Sequence, residues 1–309
     1  MIGSVAAGGG SLEQRKARGA HATRKRLTPY ALLGPGGIYL ALFFVAPLIV
    51  MVFTSLQQGG LLAGGFTFDI KNPNWASYSE VAANGRFYLR SVVYAAIVTV
   101  IGLLLAYPMT YWIAFYGGRR KTAFLLLLLL PFFVSFVIRT IQWNFILGDN
   151  GLIFGPLKNA GLLPQDFRVL ATPVAVIAGI TYNFLPFTAL PLFVALDRID
   201  KRLVEAAKDL YATRWDAFRK VVLPLSIPGV FAAVILTFVP ATGDYVNASV
   251  LGGLNTTMIG NIIQTKFLRS QAYPEAAALS IVLMFGMLVL VSIYAKLLGT
   301  EDEALAAGA

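Results

Sequence analysis

Few residues in this chain have both the type and the setting to do chemistry, and two of them are charges embedded in apolar sequence. Arg139 lies inside the apolar run 122–147, where Gln142 and Asn144 make one half of the run polar. A lone cation at the bilayer centre costs about 2.5–3.5 kcal/mol on insertion scales, so it has to be relieved. An acid such as Asp149 could pair with it, the side chain could snorkel to the outer interface, or it could face a polar pathway. Asp244 stands at the end of another apolar run, just after Pro240 and beside Tyr245 and Asn247. A carboxylate among aromatic rings suits an ammonium ligand, because each ring face attracts a cation by roughly 0.5–2 kcal/mol. Tyr182, Asn183 and Trp143 could extend such a path, with Arg139 shaping the field along it. The competing reading makes Asp244 a helix-end cap or a contact with another protein.

The rest of the inventory excludes several classes of enzyme. With His21 as the single histidine, placed in a polar tail, and no cysteine, no His-based metal cluster, Ser-His-Asp triad, disulfide or thiolate metal site is expected in the apolar region. A phosphate-binding G-x-x-x-x-G-K-[ST] loop is also missing. Gly117-Gly118-Arg119-Arg120-Lys121-Thr122 lacks the glycine before its lysine and precedes an apolar run, so it reads as a basic turn at a membrane surface.

The elements that must position these residues are membrane helices. Hydrophobic residues make up 57% of the 309 positions and charged residues 13%, about half the charged share of a soluble domain, so lipid is the expected solvent. A bilayer core needs roughly 20 apolar residues per helix. Six runs qualify, near 31–56, 91–116, 122–147, 172–196, 225–243 and 277–298, the fifth interrupted by Pro228, Gly229 and Pro240. Of the 25 Lys and Arg, seventeen fall in the tail, in 119–121, in 197–224 and at Lys296, against seven in the alternate loops and Arg139 itself. The excess of basic residues on one side predicts that both termini are cytoplasmic, which requires an even number of spans.

Residues 1–29 form a basic tail with too little apolar surface to fold alone, expected to be disordered and to rest on anionic lipid rather than on nucleic acid. The run after it is too long for the roughly 7–15 residues of a signal-peptide core, so it reads as an uncleaved first span. Residues 30–298 then form one six-span domain and 299–309 a second cytoplasmic tail. Outside the membrane, 57–89 reads as a short, partly helical excursion and 244–276 as a turn joined to an interfacial helix. No strand alternation long enough for a barrel is present.

The longest cytoplasmic loop, 197–224, is the most informative segment. Leu203, Ala206, Ala207 and Leu210 recur at helical spacing opposite Arg202, Glu205, Lys208 and Asp209, and a second pattern follows at Trp215, Phe218 and Val222. Two short amphipathic helices joined near Tyr211-Ala212 are predicted. Their apolar stripes could cover a partner protein or lie on lipid headgroups, and composition alone leaves both open.

The wording of this loop resembles the E-A-A loop of the membrane subunits of ABC importers. Glu205, Ala206 and Ala207 match, Val221 stands for the usual isoleucine, and Leu223-Pro224 follow at the family's spacing; Tyr211 replaces the usual glycine. Pro131-Phe132-Phe133 leading to Ile138-Arg139-Thr140, and Gly243-Asp244-Tyr245-Val246 through Gly252-Gly253 to Met258-Ile259-Gly260-Asn261, are similar to spermidine/putrescine permeases within that family.

The resemblance implies an all-α, type I importer permease with six transmembrane helices in the inner (plasma) membrane. It implies half of a translocation pore for a small organic solute, and no nucleotide or other cofactor in this chain, with ATP and Mg bound by a partner. An ABC ATPase dimer, a second permease, expected to be a different chain, and a periplasmic or extracellular solute-binding protein would complete the machine. Glu205, Ala206, Ala207, Leu210, Tyr211, Trp215, Leu223 and Pro224 would couple to the ATPase, and Asp244, Tyr245, Tyr182, Trp143 and Arg139 would lie along the solute path. One alternative keeps the importer class and changes the solute to an amino-acid derivative, another organic cation, or a sulfate- or phosphonate-like anion. Another changes the class, to a membrane scaffold or a secondary transporter, the latter needing more spans and an intramembrane acid for its coupling ion.

Overall fold

A computed structural model of the chain describes residues 34–60, 65–67, 69 and 73–307, so the basic tail lies outside the described residues. The first helix, α1 (Gly34–Ser55), is apolar on all sides. After it, β1 (Gln58–Gly60) pairs antiparallel with β2 (Gly65–Thr67), and a 3₁₀ turn at Trp75–Tyr78 leads into α2 (Ser79–Ala83). The expected helical excursion therefore also carries a small hairpin. α3 (Gly85–Tyr116) crosses next.

The run expected as a continuous third span is broken. A helical segment containing α4 (Lys121–Leu129) ends in a 3₁₀ turn at Leu130–Phe133, and α5 (Phe136–Leu147) leaves it at 88°. Pro131 has no N–H to continue the ladder, and Val134 and Ser135 are extended (ψ 140° and 135°), which turns the chain through the corner. Among the described residues, five helices are thus long and apolar enough to cross a membrane, and the bent pair makes up to six.

Beyond α5, α6 (Phe154–Asn159) lies in the connecting loop, and α7 (Pro173–Asp197), long and apolar enough to cross a membrane, is started by the Thr172 hydroxyl accepting from the Ala175 N–H. In the loop 197–224, α8 (Lys201–Asp209) is separate, but the second amphipathic helix and the fifth span are one continuous helix, α9 (Arg214–Thr242). Sequence reading had placed a boundary near 225. Pro224 cannot donate to the carbonyl four residues back, and a π-turn at Phe218–Val222, closed by Leu223 N–H on Phe218 O, carries the helix past it. α10 (Val246–Leu251) and α11 (Ile259–Gln264) fill the loop before the last helix, α12 (Tyr273–Ala307), which continues through most of the segment expected as a C-terminal tail.

Small residues let α3, α7 and α9 approach closely. Ala106, Ala189 and Ala233 are buried around Leu192, and the Thr188 and Thr237 hydroxyls meet at 2.7 Å. A Cβ added at Gly229 would lie 2.3 Å from Ala195 Cβ, so the α7–α9 contact depends on that glycine. Toward the 197–224 loop, Tyr107 hydrogen-bonds Ser226 at 2.7 Å, and Lys121 is ion-paired with Asp197. Lys201 Nζ donates to Phe115 O at 2.9 Å, tying the base of α8 to the end of α3.

Candidate coupling loop and buried polar cluster

The loop is built by local rules that the sequence carries. Asp200 caps α8, its carboxylate accepting from Arg202 N–H at 3.0 Å. The helix ends in a Schellman motif: Ala212 N–H reaches Ala207 O at 3.1 Å, and Tyr211 N–H reaches Lys208 O at 2.9 Å. The residue between them must adopt positive φ, and Tyr211 does so at 62°. The turn that glycine usually makes is therefore made in full by a tyrosine, at a strain of order 1 kcal/mol. Thr213 and Asp216 then form a capping box that starts α9.

The two helices present an exposed apolar set: Leu210 is 81% exposed, Tyr211 97% and Trp215 66%, with Leu203 nearby. Trp215 stacks on Phe218 at 5.4 Å, and Phe218 is wedged edge-on against Tyr107 and Tyr111, so the set is mounted on the bundle. Glu205 lines a cleft of about 240 Å³ with Tyr111, Tyr116, Lys201, Lys208 and Arg214. It is exposed and makes no ion pair among the described residues. Ala206 is exposed and Ala207 half-buried, while Leu223 and Pro224 lie beyond the π-turn on the membrane side of the loop.

The candidate solute residues divide into two groups. Trp143 and Tyr182 meet edge-on at 5.4 Å and line an apolar groove of about 490 Å³ with Ile97, Ile101 and Leu105. Asp244 is not in that groove. It is 6% exposed and acts as a cap, one carboxylate oxygen accepting from Asn247 N–H at 2.9 Å and the other from Asn247 Nδ2 at 2.6 Å. Burial pushes its pKa up, against the pull of these hydrogen bonds. Tyr245 beside it is exposed, and its backbone carbonyl accepts from Asn261 Nδ2 at 3.0 Å.

Asn247 passes the connection inward. Its Oδ1 accepts from Asn183 Nδ2 at 3.0 Å and from Thr140 Oγ1 at 3.2 Å, and Asn183 Nδ2 also donates to Thr140 Oγ1 at 2.9 Å. Asn183 lies about 15 Å along α7 from Pro173, toward the middle of that helix. The two broken segments, α5 and α10, therefore meet α7 at a buried polar cluster. The sequence singles out Asp244, Asn247 and Asn183 for the solute path, whereas Thr140 stands there only as part of the stretch Ile138-Arg139-Thr140 and is given no role.

Arg139, one residue from Thr140, is 6% exposed and does not snorkel to an interface. The expected Asp149 partner is engaged elsewhere, by Lys158 at 3.3 Å and Arg168 at 3.1 Å. The guanidinium instead lies over the rings of Phe132 and Phe136, at 5.7 and 5.9 Å, with Nε and Nη1 lacking hydrogen-bond partners among the described residues.

Residues 37–299 match the family described as binding-protein-dependent transport system inner membrane component. The chain belongs to this family. Among relatives of this permease, the spermidine/putrescine transport system permease protein PotB of Haemophilus influenzae is 34% identical over 262 residues, covering 83% of this chain and 89% of that protein. PotB of Escherichia coli is 34% identical, covering 83% and 92%, and the inner membrane ABC transporter permease protein YdcU of the same organism is 30% identical, covering 86% and 91%. Among solved structures, a bacterial ABC transporter involved in import of the acidic polysaccharide alginate superposes with a TM-score of 0.67 at 20% identity, covering 90% of this permease and 97% of that chain. The same kind of transporter in complex with an alginate pentasaccharide-bound periplasmic protein gives 0.66 at 19% identity, covering 89% and 95%. The permease is therefore a multi-pass inner-membrane transport subunit with the ABC importer permease fold.

Proposed function

We propose that this permease forms half of the pore of an ATP-driven importer for a polyamine of the spermidine/putrescine class. The observation that carries the solute class is its 34% identity to PotB proteins across 83% of its length. In this reading both termini are cytoplasmic, in keeping with the excess of Lys and Arg on one side. An ABC ATPase dimer, which binds ATP and Mg, docks on the exposed loop through Glu205, Ala206, Ala207, Leu210, Tyr211 and Trp215, with Leu223 and Pro224 behind. A second, different permease completes the pore, and a periplasmic solute-binding protein delivers the solute.

The solute path runs past Trp143 and Tyr182 toward the cluster that Asp244 anchors, and Tyr245 flanks that anchor. Arg139 is held back over two phenylalanine rings, which partly offsets a positive field that would oppose a cationic solute.

The test is ATP hydrolysis by the complex purified on this chain, reconstituted with its solute-binding protein. Stimulation by spermidine- or putrescine-loaded binding protein is the expected result; an associated ATPase indifferent to both polyamines would reject the solute class. A second check concerns Asp244. Asn is as good a cap as Asp, so Asp244→Asn removes the charge while keeping the start of α10. Uptake of radiolabelled putrescine should fall by about fivefold or more, with the ATPase still bound. Uptake at the parent rate would take Asp244 off the path.

A further inference from the structure

The corner between α4 and α5 gathers positive charge that no described residue answers. Arg139 is 6% exposed, and neither its Nε nor its Nη1 has a hydrogen-bond partner among the described residues. The side chain runs back toward the start of α5, because its guanidinium lies over Phe132, in the turn before the helix, and over Phe136, its first residue. There it meets a second source of the same sign. Ser135 gives α5 no side-chain cap, and the first N–H groups of this 12-residue helix have no partner within it. Two ring faces near the limit of cation–π reach supply no acceptor for those donors. Of the acids that border these helices, Asp149 is held by Lys158 and Arg168, and Asp244 accepts from Asn247 at both oxygens. The setting says where an acceptor can come from. α4 starts at the basic turn and is nine residues long, about 14 Å, less than half of a hydrocarbon core of about 30 Å. On the importer reading the corner therefore lies within the membrane. Extended backbone such as Val134-Ser135 is tolerated at that depth only against protein or a water-filled cavity. Leu130, Phe133 and Val134 are all exposed there, Phe133 by 82%, so the surface that covers them is apolar protein rather than water.

We propose that this corner seats a carboxylate side chain of the second permease, which accepts from Arg139 and from the first N–H groups of α5 and joins the two permeases inside the membrane. This rests on the importer reading above. A carboxylate on a guanidinium makes short, charge-assisted hydrogen bonds, and a helix N-terminus favours the same negative charge. The pair also cancels a positive field that a cationic solute would otherwise meet.

The experiment uses the importer complex purified on this chain, with the photoreactive replacement Phe133→benzoylphenylalanine. Irradiation should join it to the second permease, at a segment that mass spectrometry shows to carry an Asp or Glu. In a mutant cycle, Arg139→Gln and the amide replacement of that acid should each weaken retention of the second permease, on dilution in detergent, by about tenfold. The double variant should be no weaker than either single one, because removing both charges leaves none stranded. Additive losses overturn the pair. So does an Arg139→Gln complex that holds the second permease like the parent, the result expected if water or a small anion satisfies the guanidinium. The cross-link is read with Arg139 in place, so it decides the matter even where Arg139→Gln does not assemble. Cross-links to lipid alone, or to a segment without an acid, overturn the site and leave the importer reading standing. A complex that contains no second permease overturns the importer reading, and the site with it.

Discussion

Asn247→Leu is expected to destabilise the permease by about 3 kcal/mol, the largest single-residue effect in the membrane core. The Asn247 side chain donates to Asp244 and accepts from both Asn183 and Thr140, and it is fully buried. Leucine would leave one carboxylate oxygen and two donors with fewer partners, or none, where water does not reach, and each such group costs about 1–3 kcal/mol. There is no room to rearrange: a Cβ added at Gly179 would already lie 2.9 Å from Asn247 Oδ1 and 2.3 Å from Leu251 Cδ1. Hydrogen bonds between membrane helices average only about 0.6 kcal/mol by double-mutant cycles, so the loss is dominated by stranding Asp244 rather than by the bonds themselves. Thermal unfolding in detergent, followed by aggregation onset, measures it. The double variant Asn247→Leu, Asp244→Asn should recover part of the loss. A single variant that melts with the parent would mean the cluster is hydrated and energetically slack.

Glu205→Ala is expected to reduce solute uptake by about tenfold or more while hydrolysis by the associated ATPase continues. Glu205 is exposed, lines the cleft between α3, α8 and α9, and has no ion-pair partner among the described residues, so its removal leaves the fold intact. What is lost, on the importer reading, is an acceptor facing the ATPase between three basic side chains, Lys201, Lys208 and Arg214. Uptake and hydrolysis measured together on proteoliposomes separate the two effects. Unchanged uptake would remove Glu205 from the coupling surface, and a parallel fall in both would make it an assembly residue instead.

Much of this architecture is legible from residue order, and the exceptions have particular causes. Apolar run length located the five helices long enough to cross and the bent pair, because the hydrocarbon thickness sets a minimum that no polar loop here reaches. It did not reveal the 88° corner. Pro186, Pro191, Pro228 and Pro240 all sit inside continuous helices, so Pro131 alone carried no warning; what differs is the extended pair Val134-Ser135 that follows it. The two amphipathic loop helices and their junction were readable, since caps and periodicity are local. The union of the second with the fifth span was not, because a π-turn re-registers the ladder without any mark in composition.

Pairing was hardest to foresee. Asp149 is one candidate partner for Arg139, but the loop between α5 and α7 supplies Lys158 and Arg168, which pair with it instead. Asp244 was read as facing a solute or as capping a helix, and the geometry makes it a cap for Asn247 that is wired to the middle of α7 through Asn183. Spacing along a chain cannot disclose such three-helix meetings, because they depend on where two interrupted segments return.

The unbroken helix α9 has a mechanical consequence. At 1.5 Å per residue, 29 residues from Arg214 to Thr242 make a rod about 44 Å long. Its loop end carries Trp215, and its far end stops two residues short of Asp244. A tilt of about 5° at the loop end, with the rod pivoting there, would sweep the far end by about 4 Å, more than the length of a hydrogen bond. The contacts Asp244–Asn247–Asn183 could not survive that sweep unless α10 and α7 moved with it. On the importer reading, the loop and the buried polar cluster would be geared through one lever whose compliance lies at the π-turn and at Pro228 and Pro240. Stiffening any of these three joints should change how far a given stroke reaches, with no change in what the two ends bind.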